Sequence, residues 1–140
     1  MSAVVVDASV AIKWFLPEIH AEAARGVLAK HRELLAPDLI LAEVGNALWK
    51  QVHRAQLIPE TARGILQDFE RFPLRTFPAK TLLEPAWELA VRFRLTIYDS
   101  LYVALAVGRR CSLVTADLAL CRSLSGTSLA SSVTWVERFR

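Results

Sequence analysis

Short runs of apolar residues alternate along this chain with longer segments in which apolar residues recur at helical spacing. The short runs are rich in β-branched residues and are bounded by prolines or polar residues, which is typical of strands buried in a sheet. Five strands are predicted, at 3–6, 34–36, 74–77, 112–115 and 133–136.

The longer segments predict helices between these strands. Ser9 is expected to cap the first helix and Asp38 the third, since both residue types accept hydrogen bonds from free N–H groups at a helix start. The segment 99–109 is apolar on nearly all sides, so this helix should be central. Strands that alternate with helices predict an α/β sandwich with a mostly parallel sheet. The predicted helices span 10–16, 19–31, 39–53, 59–72, 80–94, 99–109 and 117–124.

Composition narrows the class of protein. The chain has 140 residues, of which 54% are hydrophobic, and this is enough for the core of one domain spanning 1–140. The mean hydropathy of +0.32 is high for a soluble domain, so we expect a partner to cover some apolar surface. No apolar run reaches the length of a membrane span, and the first residues lack the basic segment of a signal peptide. These features predict a cytoplasmic protein that does not contact a membrane.

Four acidic residues lie within or beside apolar segments, namely Asp7, Glu43, Asp99 and Asp117. An ionised carboxylate is costly to desolvate unless it is paired or binds a metal. Sites in parallel sheets form beyond the carboxyl ends of the strands, where Asp7 and Asp117 are predicted to lie. We therefore expect one acidic pocket that holds a divalent cation, with magnesium or manganese favoured by oxygen ligands.

Each acid alone also has a simpler explanation. Asp7 can be a turn residue, and Asp99 and Asp117 can be plain helix caps. Glu43 can belong to a solvated face of its helix that also carries Asn46.

Three polar residues near these acids could orient metal ligands. They are Ser9, Thr115 and Asn46. Helix capping is the alternative role for Ser9, and plain strand propensity explains Thr115 equally well.

The chemistry follows from which other groups the sequence offers. It has no serine–histidine or cysteine–histidine pair in a recognisable context and no glycine-rich phosphate loop. A carboxylate-bound metal without a protein nucleophile favours an activated water and hydrolysis of a phosphodiester. A phosphatase with an aspartyl nucleophile usually has a second acid two residues after the first, where Ser9 stands.

The net charge of +3 leaves arginines free to contact a polyanion, and the candidates are Arg71, Arg75, Arg92, Arg94, Arg109 and Arg110.

Four segments of the chain, 5–18, 41–48, 98–106 and 113–117, resemble PIN-domain proteins of the VapC toxin type. The resemblance implies a PIN-like three-layer α/β/α sandwich with a mostly parallel central sheet. It also implies an Mg²⁺- or Mn²⁺-dependent endoribonuclease, the toxin of a type II toxin–antitoxin (VapBC) pair, with transfer or ribosomal RNA as the expected substrate. A non-catalytic PIN-like module that binds RNA or protein is the alternative.

The same resemblance assigns roles to individual residues and partners. The acidic positions of the family fall on Asp7, Glu43, Asp99 and Asp117, which would be both catalytic residues and metal ligands, and its hydroxyl positions fall on Ser9 and Thr115. A homodimer and a VapB-type antitoxin are the implied protein partners. The residues 14–16 and Trp49 could line a groove for an apolar antitoxin helix, although we expect core positions for at least two of them.

Overall fold

A central sheet of five parallel strands organises the computed structural model, which describes residues 2–29 and 32–140. The strand order is β3-β2-β1-β4-β5, so β1 and β4 are neighbours at the centre. The sheet is wholly parallel, and the predicted α/β sandwich is confirmed. The strands are β1 (Ala3–Val6), β2 (Glu33–Pro37), β3 (Arg75–Phe77), β4 (Ser112–Thr115) and β5 (Val133–Trp135).

Seven α-helices connect or flank these strands in the described part of the chain. The first predicted helix is only one α turn that continues as a 3-10 turn, Ile12–Trp14. The predicted end of the second helix lies partly outside the described residues. The helices are α1 (Ala8–Ala11), α2 (Ala21–Leu28), α3 (Leu39–His53), α4 (Pro59–Glu70), α5 (Ala79–Phe93), α6 (Ile97–Gly108) and α7 (Leu118–Leu124).

Helix α6 is central, as its apolar composition predicts. Residues 100–106 are all buried, and the helix packs against β1, β2 and β4. On its other side, α6 packs against α5 through a small cluster around Ala86, Leu101 and Ala104. None of the helices in the described ranges is both long enough and apolar enough to cross a bilayer.

Two predicted helix caps are wrong. Asp7, not Ser9, occupies the position before α1, and Ser9 lies within that helix. Asp38 precedes α3, but its backbone is already helical, with φ −64° and ψ −16°, which is not the extended conformation of a capping residue. Its Oδ1 instead accepts a 3.0 Å hydrogen bond from the N–H of Ala79, where α5 begins.

The aromatic residues after α1 belong to the core. Trp14 stacks on Phe72 with ring centroids 4.9 Å apart, and its Nε1 donates to the carbonyl of Ala24. Phe15 packs edge-on against Phe72, and Leu16 is buried. The expectation that at least two of the four groove candidates are core residues is therefore confirmed.

Candidate active site

Asp7 lies directly beyond β1, where its carboxylate meets two hydroxyl groups. Asp7 Oδ2 accepts a 2.9 Å hydrogen bond from Ser9 Oγ and a 2.6 Å hydrogen bond from Thr115 Oγ1. The second contact crosses from β1 to β4, which pair in parallel with Val6 opposite Val114. Sheet register thus brings a residue from each end of the chain into one site.

The two hydroxyl groups are fixed by the backbone around Asp117. Thr115 is fully buried, and its Oγ1 also accepts from the N–H of Asp117 at 3.0 Å. Ser9 Oγ accepts from the N–H of Ala116 at 3.0 Å. Both hydroxyls therefore direct their protons at Asp7, and their role in orienting a metal ligand stays a prediction.

Glu43 reaches the same region from α3. Its Oε1 accepts a 2.6 Å hydrogen bond from the hydroxyl of Tyr102 on α6. Tyr102 is only 1% exposed and was not among the residues predicted from sequence. A signal was available, since a tyrosine inside an otherwise apolar buried helix requires a polar partner for its hydroxyl.

Asp99 and Asp117 both lie at helix starts, but in different ways. Thr96 caps α6 and its Oγ1 accepts from the N–H of Asp99 at 3.1 Å, so Asp99 lies in the first turn and does not cap the helix. Asp117 does cap α7, because its Oδ1 accepts from the N–H groups of Ala119 and Leu120. The capping alternative thus describes Asp117 well and Asp99 poorly.

Three of the acids influence each other electrostatically. Burial raises the pKa of Asp7, while the hydrogen bonds from Thr115 and Ser9 oppose that rise. Burial also raises the pKa of Glu43, as do the charges of Asp7 and Asp99, against the hydrogen bond from Tyr102.

The pKa of Asp99 is raised as well. Burial is the largest cause, and the charges of Asp7 and Asp117 raise the pKa further. The charge of Asp7 therefore acts on both Glu43 and Asp99, and Asp99 also lies within range of the charge of Asp117. This is the crowding expected of an acidic pocket.

The donor set suits a divalent cation, but the carboxylates do not form a closed ligand shell. Among residues 2–29 and 32–140, no three His, Cys, Asp or Glu side chains converge closely enough to hold a metal ion. Hard carboxylate oxygens that repel one another are nevertheless the ligands that Mg²⁺ or Mn²⁺ prefers. A shared ion therefore requires the carboxylates to draw closer together than they lie here.

Asn46 has no described contact that supports an orienting role. It is exposed on α3, and no hydrogen bond joins its side chain to a carboxylate in the described part of the chain. Its predicted role stays a prediction.

The candidate arginines separate into two groups. Arg92 and Arg94 lie at the end of α5, next to the first turn of α6 that carries Asp99. Arg109 lies at the far end of the 12-residue α6, which is about 18 Å long. It stacks on the ring of Phe77 together with Arg75. Of these four arginines, Arg92 and Arg94 are the two that lie at the Asp99 end of α6.

Comparison with known proteins identifies the family. Residues 4–123 match the PIN domain, and this chain belongs to the PIN-domain family. Ribonuclease VapC3 of Pyrobaculum aerophilum is 35% identical over 115 residues, which cover 81% of this chain and 88% of that protein. The predicted resemblance to VapC-type PIN proteins is confirmed.

Solved structures have the same fold. The crystal structure of PAE2754 from Pyrobaculum aerophilum has a TM-score of 0.70 and 26% identity, covering 97% of this chain and 85% of that one. A toxin-antitoxin complex from Klebsiella pneumoniae contains a chain with a TM-score of 0.63 and 16% identity, covering 94% of this chain and 95% of that one.

Proposed function

We propose that this protein is a metal-dependent endoribonuclease and the toxin of a VapBC-type toxin–antitoxin pair. The observation that carries the proposal is the set of acids around Asp7, whose pKa values are raised by burial. The charges of Asp7 and Asp99 raise the pKa of Glu43 further, and those of Asp7 and Asp117 raise the pKa of Asp99 further. The likeness to a VapC ribonuclease over four-fifths of the chain supports the same activity. A cytoplasmic location remains a prediction that agrees with an RNA substrate.

The proposed ligands of Mg²⁺ or Mn²⁺ are Asp7, Glu43 and Asp99, with Asp117 at the edge of the site. When bound, the ion would lower the pKa of a water molecule and neutralise charge that develops on the phosphate. Asp7 is held in place for this role by Thr115 and Ser9. Asp117 is partly committed to capping α7, so its contribution to binding should be the smallest of the four.

RNA cleavage by the purified protein tests the proposal. Transfer and ribosomal RNA are incubated with the protein and Mn²⁺, with and without EDTA. We expect discrete cleavage products that EDTA abolishes. No metal-dependent cleavage of either RNA pool would contradict the proposed activity.

The variant Asp99→Asn separates catalysis from binding. It removes a proposed ligand while it keeps the size of the side chain and the Thr96 cap, which uses the backbone N–H of residue 99. We expect it to bind RNA without cutting it and to abolish growth arrest on expression. Growth arrest that persists in a folded Asp99→Asn protein would favour the non-catalytic alternative.

A VapB-type antitoxin is the proposed protein partner. The support is the likeness in fold to a chain of a toxin-antitoxin complex and the likeness in sequence to a VapC protein. Among the groove candidates named from sequence, Trp49 remains available, because it is 58% exposed and its ring stacks on that of His53.

A homodimer is also proposed, and α5 offers a surface for it. The residues Leu83, Trp87 and Val91 are spaced by four and all are more than half exposed, while Ala86 faces the core. Tyr98, at the start of α6, is exposed as well. Exposed apolar patches of this kind usually mark interaction sites. We call these four residues the α5 stripe and propose that the second copy covers it.

A further inference from the structure

Tyr102 connects the two helices that supply Glu43 and Asp99. Its hydroxyl donates to Glu43 Oε1 at 2.6 Å, across 59 positions of sequence. Tyr102 stands three residues after Asp99, so both lie on adjacent turns of the same face of α6. One helix therefore carries one acid of the site and also the group that contacts another.

Glu43 depends on this contact for its position. It is partly exposed on α3, and the bond from Tyr102 is the single side-chain hydrogen bond described for it within residues 2–29 and 32–140. The charges of Asp7 and Asp99 repel its carboxylate. A flexible glutamate that is repelled by its neighbours and bordered by solvent turns outward unless a donor holds it.

Tyr102 is well suited to serve as that donor. Its ring is buried in the core, on a helix that packs against β1, β2 and β4, so the hydroxyl is presented without freedom to follow Glu43 outward. A phenol in this position donates one proton and occupies one carboxylate oxygen, which leaves Oε2 of Glu43 for another ligand. Groups that hold a metal-binding carboxylate in this way govern metal affinity without touching the ion.

We propose that Tyr102 is a positioning residue that holds the Glu43 carboxylate beside Asp7 and Asp99 for metal binding. The proposal rests on the proposed function, since it assumes that Glu43 is a ligand. It adds a residue that was not predicted from sequence and that acts only through Glu43.

The test measures Mn²⁺ binding by calorimetric titration rather than activity alone. Tyr102→Phe removes the hydroxyl and keeps the ring in the core. We expect about tenfold weaker Mn²⁺ binding, the lower end of the effect of losing such a partner. Val107→Ala is the control on the same helix, because Val107 is exposed near the other end of α6 and belongs neither to the acidic site nor to the α5 stripe. Its affinity should equal that of the wild type.

A double-mutant cycle separates positioning from a general effect on the fold. In the Glu43→Gln background, Tyr102→Phe should weaken Mn²⁺ binding by less than about twofold, since the residue through which it acts has lost its charge. An equal loss in both backgrounds would overturn the proposal. Wild-type affinity in a folded Tyr102→Phe protein would overturn it too.

Two further measurements keep the outcome clear. Thermal unfolding of each variant establishes whether it folds. If Tyr102→Phe does not fold, Glu43→Asp tests the same pair, because the shorter side chain moves the carboxylate away from the Tyr102 hydroxyl. Glu43→Asp should lose a similar factor in affinity, and unchanged affinity would contradict the proposal. If the wild type neither binds Mn²⁺ nor cleaves RNA, the proposed function itself fails. If the wild type does both and Tyr102→Phe binds Mn²⁺ equally well, only the role proposed for Tyr102 fails.

Discussion

Thr115 Oγ1 donates a 2.6 Å hydrogen bond to Asp7 Oδ2, and the two residues are 108 positions apart in the chain. The same oxygen accepts from the N–H of Asp117. A single buried hydroxyl therefore joins two of the acids and connects the central strands at the point where the site begins.

Removing this hydroxyl should cost stability. Thr115→Val keeps the shape of the side chain but removes one of the two hydroxyl hydrogen bonds to Asp7 Oδ2 and leaves the N–H of Asp117 without its partner. We expect the free energy of unfolding to fall by about 1–3 kcal/mol, measured by urea denaturation. Thr134→Val on β5 is the control, because no side-chain hydrogen bond is described for Thr134 in the characterised part of the chain, and its effect should stay within about 0.5 kcal/mol. Equal losses at both positions would contradict the role given to Thr115.

The acidic site should make the metal-free protein less stable as pH rises. The pKa values of Asp7, Glu43 and Asp99 are raised, so the folded state holds these protons more tightly than the unfolded state does. The contribution of these three carboxyl groups to the free energy of unfolding is therefore most favourable below the ordinary carboxyl pKa of about 4. It is lost as pH rises through the raised pKa values.

The variant Asp99→Asn isolates this effect from other carboxylates. Its free energy of unfolding in EDTA should equal that of the wild type at low pH and exceed it at pH 7 by on the order of 1 kcal/mol, because both the cost of burying the charge of Asp99 and its repulsion by Asp7 and Asp117 are gone. Glu60→Gln is the control, since Glu60 also lies in a first helical turn but belongs to α4, and it should give no gain. A difference between Asp99→Asn and wild type that does not depend on pH would refute the interpretation.

The α5 stripe should determine oligomeric state. Trp87→Glu places a charge in the middle of an exposed apolar surface, so it should convert a dimer to a monomer and change the free energy of unfolding of the subunit by no more than about 0.5 kcal/mol. Sedimentation equilibrium measures the first effect. Ile19→Glu, at an apolar residue that is 75% exposed and outside the stripe, should leave the dimer intact. A Trp87→Glu protein that remains dimeric would place the interface elsewhere.

Arg94 and Arg110 should differ in their effect on RNA binding. Both residues have positive φ after a helix, 57° and 54°, so the same substitution strains both backbones alike. In an Asp99→Asn background that does not cut RNA, Arg94→Gln should reduce the slope of log affinity against log salt by about 0.7, the value for one phosphate contact on a single strand. Arg110→Gln should leave the slope unchanged, since Arg110 follows the far end of α6. The same slope for both variants would mean that RNA does not approach along the Asp99 end of the helix.

The sequence predicted the sheet and most helices because their apolar periods are clear. It also predicted that Asp7 and Asp117 lie near each other, since parallel topology places both beyond the ends of neighbouring strands. The predicted start of α6, at residue 99, was wrong, and the sequence contained the pattern that would have corrected it. Thr96 and Asp99 have the spacing of a capping box, and that pattern places the cap at Thr96 rather than at Asp99.

Other features depend on information that one sequence does not carry. The contact between Tyr102 and Glu43 is set by how α3 and α6 lie against each other, which periodicity does not specify. Helix α5 is apolar on more than one side, so its pattern could not tell that Ala86 faces the core while Trp87 faces solvent. Whether the carboxylates close around an ion depends on side-chain rotamers, which the sequence leaves free.

The pairing of β1 with β4 has a consequence for synthesis of the protein. Asp7 is synthesised 108 positions before Thr115, and β4 cannot dock beside β1 until that later segment has been made. A chain that has been synthesised only through its first strands therefore carries Asp7 without the hydroxyl that orients it, and the acidic site cannot assemble before β4 exists.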